Sequence, residues 1–340
     1  MIIVMRAGAS RPKIKYVMDK IMALGYQPHP IYGVERTVIG AIGDERGKSI
    51  LESLISLEGV ESVIPILKPF KLASREFHRD PTVIQVGKVR IGNGGFALIA
   101  GPCSVESEAQ ILEAARQVHL AGANLLRGGA FKPRTSPYSF QGLEHEGLKL
   151  LAKARHETGL PIVTEILSPE DVELVAEYAD MLQVGARNMQ NFSLLKKLGK
   201  IQHPILLKRG MMCTVKETLM CAEYILSAGN GQVILCERGI RTFEDATRNT
   251  LDLSAVALLK ELSHLPIIVD PTHGTGVKQL ILPMCKAAIA AGTDGLMVEV
   301  HPRPDEALSD GSQALIPEEF RQIVESIQPY LTLEKKRLEF

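Results

Sequence analysis

The feature that most constrains this chain is a rhythm that begins at residue 96. Apolar runs of strand length recur at 96–100, 124–126, 161–164, 181–184, 204–207, 232–236, 266–269 and 295–298. Each is followed by a stretch of helical periodicity, cleanest over 106–121, 144–158, 215–228 and 278–291. Continuously apolar strands that alternate with helices belong to parallel sheets buried on both faces. About eight such units in roughly 230 residues is the count and size of a (β/α)8 TIM barrel. A doubly wound open sheet uses the same units, but eight short and similarly spaced ones favour closure.

Upstream the order changes. A strand at 2–5 precedes an amphipathic helix at 13–24, which Gly25 ends. Strands at 28–32 and 36–42, a helix at 48–57 and a strand at 62–67 follow. The order βαββαβ is the ferredoxin-like arrangement. It carries no cluster of chemistry-bearing residues, so fold analogy favours a regulatory or structural role. Pro69, Pro81 and a polar stretch then break periodicity, and 82–86 and 88–91 around Gly87 read as a short hairpin. The organisation expected is a ferredoxin-like regulatory domain at 1–70, a linker and hairpin at 71–95, and a catalytic barrel at 96–340.

A strand buried on both faces needs a reason to end in a charged or reactive residue. Here almost every one does: Cys103, Arg127, Glu165, Arg187, Lys208, the pair Glu237-Arg238, Asp270 and Glu299 follow the strands in order. The C-terminal strand ends of a TIM barrel open on one face, so these groups converge on a single mouth. Rim ion pairs explain one or two of them. They account poorly for Arg127, Lys132, Arg187, Lys208 and Arg238, five cations that disfavour one another unless an anion lies between them. Guanidinium forks grip carboxylate and phosphate oxygens at two points, and lysine adds a point charge. The set therefore suits a ligand with more than one anionic function, such as a phosphorylated carboxylic acid. The string Lys132-Pro133-Arg134-Thr135-Ser136 offers a cation and two hydroxyls for a second phosphate, although a solvated loop would read the same way.

A second set suits a divalent metal: Cys103, His273 just past Asp270, Glu299, and Asp310 in the loop beyond it. One sulfur, one imidazole and two carboxylates are too hard a mixture for a structural zinc site and would accept Mn, Fe, Co or Zn. Each member also has a plainer reading, since a cysteine near a strand end is often an inert core thiol. His119, His145, His203 and His264 lie on predicted helices or their ends, where surface or capping roles fit.

Charge and cysteine content narrow the class. Lys plus Arg and Asp plus Glu balance at 39 each, so no global field draws nucleic acid or an anionic membrane. Five scattered cysteines, none in a CxxC pair, suit reduced thiols in a cytoplasmic protein. The opening apolar run is too short for a signal peptide, and no stretch would span a bilayer.

At this point the strings themselves are informative. Ala100-Gly101-Pro102-Cys103-Ser104, Leu126-Arg127-Gly128-Gly129-Ala130-Phe131-Lys132-Pro133-Arg134-Thr135-Ser136-Pro137, Gly185-Ala186-Arg187-Asn188, Leu207-Lys208-Arg209-Gly210, Cys236-Glu237-Arg238-Gly239 and Asp270-Pro271-Thr272-His273 come in order on successive strands. Together they resemble 3-deoxy-D-arabino-heptulosonate 7-phosphate (DAHP) synthase, in the subclass with an N-terminal ferredoxin-like regulatory domain. The resemblance implies a metal-dependent transferase that condenses phosphoenolpyruvate with erythrose 4-phosphate, at the entry to the shikimate pathway and aromatic amino acid biosynthesis. It implies metal ligands Cys103, His273, Glu299 and Asp310. It places Arg127, Lys132, Arg187, Lys208 and Arg238 on phosphoenolpyruvate, with Glu165 nearby. Pro133, Arg134, Thr135 and Asp270 would receive the aldose phosphate. Catalytic roles fall to Lys132, Glu165, Asp270 and His273, with Lys132 expected to have a lowered pKa among its neighbouring cations. An aromatic amino acid effector, for which residues 27–34 are a candidate seat, and a homotetramer are further implications. The nearest alternative is 3-deoxy-D-manno-octulosonate 8-phosphate synthase, which takes arabinose 5-phosphate and carries a Lys-Ala-Asn-Arg-Ser type string at the 132–136 loop.

Overall fold

The structure, a computed structural model, describes residues 1–33, 35–43, 49–64, 69–133, 136 and 138–339. It divides into two compact units, Met1–Asp80 and Pro81–Phe340. Among the described residues no helix is long and apolar enough to cross a membrane.

The first unit contains β1 (Ile2–Met5), α1 (Arg11–Ala23), β2 (Gln27–Tyr32), β3 (Thr37–Ile42), α2 (Ser49–Glu52) and β4 (Val60–Ile64). Its strands form an antiparallel sheet in the order β2-β3-β1-β4, the ferredoxin-like arrangement. Ile14, Val17 and Ile21, spaced three and four apart on α1, bury their side chains with Ile3 and Met5 of β1 and Ile39 of β3. The helix expected over 48–57 is shorter. It stops at Glu52 and tightens into a 3-10 turn, Ser53–Ser56. Ser53 Oγ donates to the Ile50 carbonyl (2.6 Å) and Ser56 Oγ to the Ser53 carbonyl (2.8 Å), side-chain bonds that compete with regular helix. Residue 48, the strand end at 65–67 and position 34 lie outside the described residues.

The second unit opens with a hairpin, β5 (Ile84–Val86) and β6 (Val89–Ile91). The barrel strands are β7 (Gly95–Gly101), β8 (Leu125–Arg127), β9 (Ile162–Ile166), β10 (Met181–Val184), β11 (Ile205–Lys208), β12 (Val233–Glu237), β13 (Ile267–Val269) and β14 (Gly295–Glu299). They pair in parallel in sequence order, and β14 closes on β7 from Gly295↔Ala97 to Glu299↔Gly101. Around them run α3 (Glu108–Leu120), α4 (Glu144–Thr158), α5 (Val172–Tyr178), α6 (Phe192–Leu198), α7 (Val215–Ser227), α8 (Leu253–Leu262), α9 (Pro271–Thr275), α10 (Ile281–Ala290) and α11 (Pro317–Leu333). Helix starts are locally encoded: Ser107 caps α3 by accepting from the Gln110 amide, and Thr214 with Glu217 forms a capping box on α7. A TIM barrel is therefore the fold, as the βα rhythm requires.

Inside the barrel, Ala97, Ile99, Leu125, Val163, Met181, Leu206, Ile234, Ile268 and Met297 form one apolar cluster. Ile84, Val86, Val89 and Ile91 of the hairpin belong to the same cluster, so β5–β6 plugs the end at which the strands begin. His264 fastens this plug and departs from the surface role expected of it. It is buried, with Nδ1 2.7 Å from Thr82 Oγ1, and its carbonyl accepts from the Thr82 amide (2.8 Å). A two-residue strand, β15 (Arg337–Leu338), pairs with Gly95 and Phe96 of β7 and has no counterpart in the sequence reading.

Candidate active site

Five of the strand-end residues lie within the strands themselves. Arg127, Lys208, Glu237 and Glu299 are the last residues of β8, β11, β12 and β14, and Glu165 is the penultimate residue of β9. Their backbones are fixed by the ladder, so the mouth is built on rigid elements. The first turn beyond β7 depends on Gly101, at φ +143°. A Cβ there would lie 2.2 Å from the Arg127 carbonyl oxygen. Only glycine lets this segment pass so close to β8 and deliver Cys103 to the mouth.

Cys103, His273, Glu299 and Asp310 each offer a ligand atom, all within 4.8 Å of one another. Cys103 Sγ is 3.2 Å from Asp310 Oδ2, and His273 Nε2 is 3.4 Å from Glu299 Oε2. Four ligands at about 2.0–2.3 Å from a shared ion have separations of this kind. The unsatisfied chemistry agrees. Glu299 Oε1 is buried without a hydrogen-bond partner. Burial pushes the Glu299 carboxyl up to about 7, the state of an acid waiting for a cation. Burial likewise pushes the Cys103 thiol up. His273 goes the other way: burial, aided by the charges of Lys208 and Arg127, lowers its pKa, so the ring is neutral and Nε2 has a lone pair to give. Its Nδ1 lies 2.9 Å from Asp270 Oδ2, off the line of an ideal hydrogen bond, in the arrangement that orients a ligating imidazole. The quartet fits a divalent ion.

Beside it is a cavity of about 290 Å³ lined by Arg127, Lys132, Arg187, Lys208 and Arg238, the five cations expected. Glu165 shares the wall. Some of this charge is answered within the protein. Lys208 donates to Asp270 Oδ2 (2.6 Å), Arg127 Nη1 lies 4.0 Å from Glu299 Oε2, and Lys132 donates to the Cys103 carbonyl (3.1 Å) and sulfur (3.0 Å). The rest is not. The Nη1 atoms of Arg127 and Arg238 are buried with no hydrogen-bond partner. Burial lowers the Arg238 pKa, the mark of a cation held out of water. A buried guanidinium left open toward a cavity is disfavoured unless an anion completes it.

Two expectations change at this point. Lys132 was read as having a lowered pKa. Burial does lower it, but the Cys103 sulfur and the Glu165 carboxylate outweigh both burial and Arg127, and its pKa is raised. Asp270 lies beneath the cavity rather than on its wall, fully buried, holding Lys208 and accepting from the His273 amide (3.0 Å). Of the aldose-phosphate set, Pro133 lines the cavity, while Arg134 and Thr135 lie outside the described residues. Glu237 follows the ion-pair reading: it accepts from Arg209 Nη1 (2.8 Å), which also donates to Asp252 (2.9 Å). Arg209 and the cavity-lining residues Gln183, Met211 and Arg248 were not legible in the sequence. Only Arg209 stood in a quoted string, and it reads there as a neighbour of Lys208.

A closed barrel that sets a quartet able to hold a metal ion beside a cationic cavity at its C-terminal mouth defines an enzyme for small anionic substrates. Residues 73–333 match the family described as DAHP synthetase I, and residues 1–68 match the DAHP synthase ferredoxin-like domain. The chain belongs to the DAHP synthase family, in its branch with a ferredoxin-like domain. It is 52% identical over 328 residues to phospho-2-dehydro-3-deoxyheptonate aldolase of Thermotoga maritima, covering 96% of this chain and 97% of that one. A crystal structure of the Thermotoga DAHP synthase superposes with a TM-score of 0.79 at 50% identity, covering 99% of each chain. A 2-dehydro-3-deoxyphosphooctonate aldolase of Syntrophotalea carbinolica is more distant, 36% identical over 254 residues, covering 69% of this chain and 91% of that one.

Proposed function

We propose that this protein condenses phosphoenolpyruvate with D-erythrose 4-phosphate and water to give DAHP and inorganic phosphate, the entry step of the shikimate pathway. The observation that carries this reading is the pair of buried guanidinium Nη1 atoms of Arg127 and Arg238, neither with a hydrogen-bond partner, on a cavity that adjoins the quartet. Arg127, Lys132, Arg187, Lys208 and Arg238 bind the carboxylate and phosphate of phosphoenolpyruvate, and the loop at Pro133 receives the aldose phosphate. Cys103, His273, Glu299 and Asp310 would hold a divalent ion of the Mn, Fe, Co or Zn class, which supplies Lewis acidity toward the aldehyde oxygen.

In this scheme C3 of the enol phosphate attacks the aldehyde carbon, and the carbonyl oxygen takes a proton. Lys132, whose surroundings favour its protonated form, would give it. A water oxygen adds to C2 and loses a proton, for which Glu165 on the wall is the acceptor. The C2–O bond to phosphate then breaks, its electron pair leaving with the phosphate, while the C2 hydroxyl passes its remaining proton to the departing phosphate oxygen and the 2-keto group forms. Arg127 and Arg238 hold the charge that gathers on the departing phosphate. Asp270 keeps Lys208 and His273 in place from below. Phosphate release measured with phosphoenolpyruvate and each aldose phosphate tests the reading. Turnover with erythrose 4-phosphate is expected. Turnover with arabinose 5-phosphate alone would overturn it in favour of the octulosonate reaction.

We infer further that the ferredoxin-like unit receives an aromatic amino acid that restrains turnover, in a cytoplasmic homotetramer. The family match of residues 1–68 supports this. Titration of activity with tyrosine, phenylalanine and tryptophan, alongside light scattering, tests it; three flat curves would refute feedback.

A further inference from the structure

We propose that Arg248 is a positioning residue for the quartet: from the loop between β12 and α8 it holds Asp310 directly and Glu299 through Gln313. This rests on the metal reading above. Arg248 Nη1 donates to Gln313 Oε1 (2.9 Å) and lies 3.4 Å from Asp310 Oδ1. Gln313 is buried, and its Nε2 donates to Glu299 Oε2 (3.2 Å). A guanidinium only donates and a carboxylate only accepts, so a neutral amide between them serves both.

The third connection runs through the backbone. The Arg248 amide donates to the Thr275 carbonyl (2.7 Å), and Asn249 Nδ2 donates to the His273 carbonyl (3.0 Å). Gly276 sits at φ +66°, and a Cβ there would meet Arg248 Cβ at 2.5 Å and Cδ at 3.1 Å. The arginine stem thus lies across a bare Cα, seated on the turn that carries His273.

Asp310 shows why such a restraint matters. Its backbone is left-handed, φ 54°, uncommon for a residue with a Cβ. Such conformations persist where the surroundings over-determine them. Here the carboxylate is held between Arg248 on one oxygen and the Cys103 thiol on the other. By itself, an Arg–Asp pair with the arginine side chain 37% exposed contributes little. The buried relay to Glu299 and the seat against Gly276 are what a surface pair lacks. Arg248 therefore bonds one ligand, reaches a second through Gln313, and packs on the turn that carries a third.

Arg248 also lines the cavity, so a direct role in holding substrate is the rival. Gln313 is not among the cavity-lining residues, and this separates the two. The test is a cobalt(II) titration of the full chain, stripped with chelator and free of substrate, read by thiolate-to-cobalt absorption. Arg248→Ala is expected to weaken cobalt binding by about 10- to 100-fold, the usual effect of removing a residue that orients metal ligands. Gln313→Leu should act in the same direction. The double variant should fall short of the sum, since both cut one chain of contacts. Arg248→Lys, which keeps the charge but not the fork, should lie between, and carries the test with Gln313→Leu if the alanine variant melts early. Unchanged cobalt affinity in Arg248→Ala and Gln313→Leu would overturn the proposal, with a raised KM for phosphoenolpyruvate assigning Arg248 to the substrate. If the unaltered chain gives no thiolate-to-cobalt band, or Cys103→Ser keeps it, the metal reading fails and this proposal fails with it.

Discussion

The two ends of the barrel are made from the same strands and have opposite chemistry. Where the strands begin, Ile84, Val86, Val89 and Ile91 fill the opening with aliphatic side chains. Where the strands finish, arginines, lysines and carboxylates face one another with some of their polar atoms unsatisfied. A plug needs only shape and apolar area, and it lowers the energy of the folded chain. A mouth made of buried charges raises that energy until something binds. Stability is concentrated at one end of the barrel and reactivity at the other.

Changes at each end should therefore separate cleanly. At the mouth, Cys103→Ser removes one ligand, and a metal ion's contribution of several kcal/mol translates to about a thousandfold loss of phosphate release. Thermal melting of the metal-free protein should hardly move. If both fall together, the mouth is structural as well. At the plug, Ile91→Ala deletes a fully buried side chain and should destabilise by about 2–5 kcal/mol in denaturant melts. Its kcat/KM below the transition should stay within about twofold of the parent. A large kinetic defect in a folded sample would erase the contrast.

Arg238→Met sharpens it. Losing a charge-assisted grip of about 1.5–3 kcal/mol should weaken phosphoenolpyruvate binding by roughly 10- to 100-fold. Because the unpartnered guanidinium is replaced by a side chain of similar volume, the ligand-free protein should melt no lower than the parent, and higher if burial of the charge is as unfavourable as the geometry suggests. A lower melting temperature would mean that Arg238 already has an internal partner.

The smallest effect is on pH. Both Glu299, raised to about 7, and Cys103, raised above the usual thiol range, bind protons that a cation must displace. Above pH 7 only the thiol proton is displaced, and metal affinity should rise about tenfold per pH unit. Below 7 the carboxyl proton is displaced as well, and affinity should fall about a hundredfold per unit. A competition titration with a chromophoric chelator from pH 6 to 8.5 measures the slope, and a constant slope would remove Glu299 from the site.

How much of this was legible follows from where the information is local. The eight barrel strands were readable because burial on both faces leaves uninterrupted apolar runs. Arg127, Glu165, Lys208, Glu237 and Glu299 were readable because each interrupts such a run at one end. Arg248 was invisible for the opposite reason: it sits in a polar loop, and its meaning comes from Gln313 and Gly276, distant in sequence. β15 was missed because two residues, Arg337 and Leu338, carry no periodicity. Asp270 shared a string with His273, so it was grouped with the substrate contacts, although burial turned it inward. For Lys132 the sign of the pKa shift depended on the Cys103 sulfur and Glu165, partners that only folding brings close.

The pairing of β14 with β7 is the seam at which the barrel meets itself. Cys103 follows the first of these strands, while Glu299 and Asp310 belong to the last and its loop. Ribosomal synthesis delivers the first donor roughly two hundred residues ahead of the others. A nascent or truncated chain that stops before β14 holds His273 and Cys103 but neither carboxylate. A cation held by the quartet would rivet the opening of the chain to its closing, and such a rivet would resist unzipping of the sheet where that is easiest.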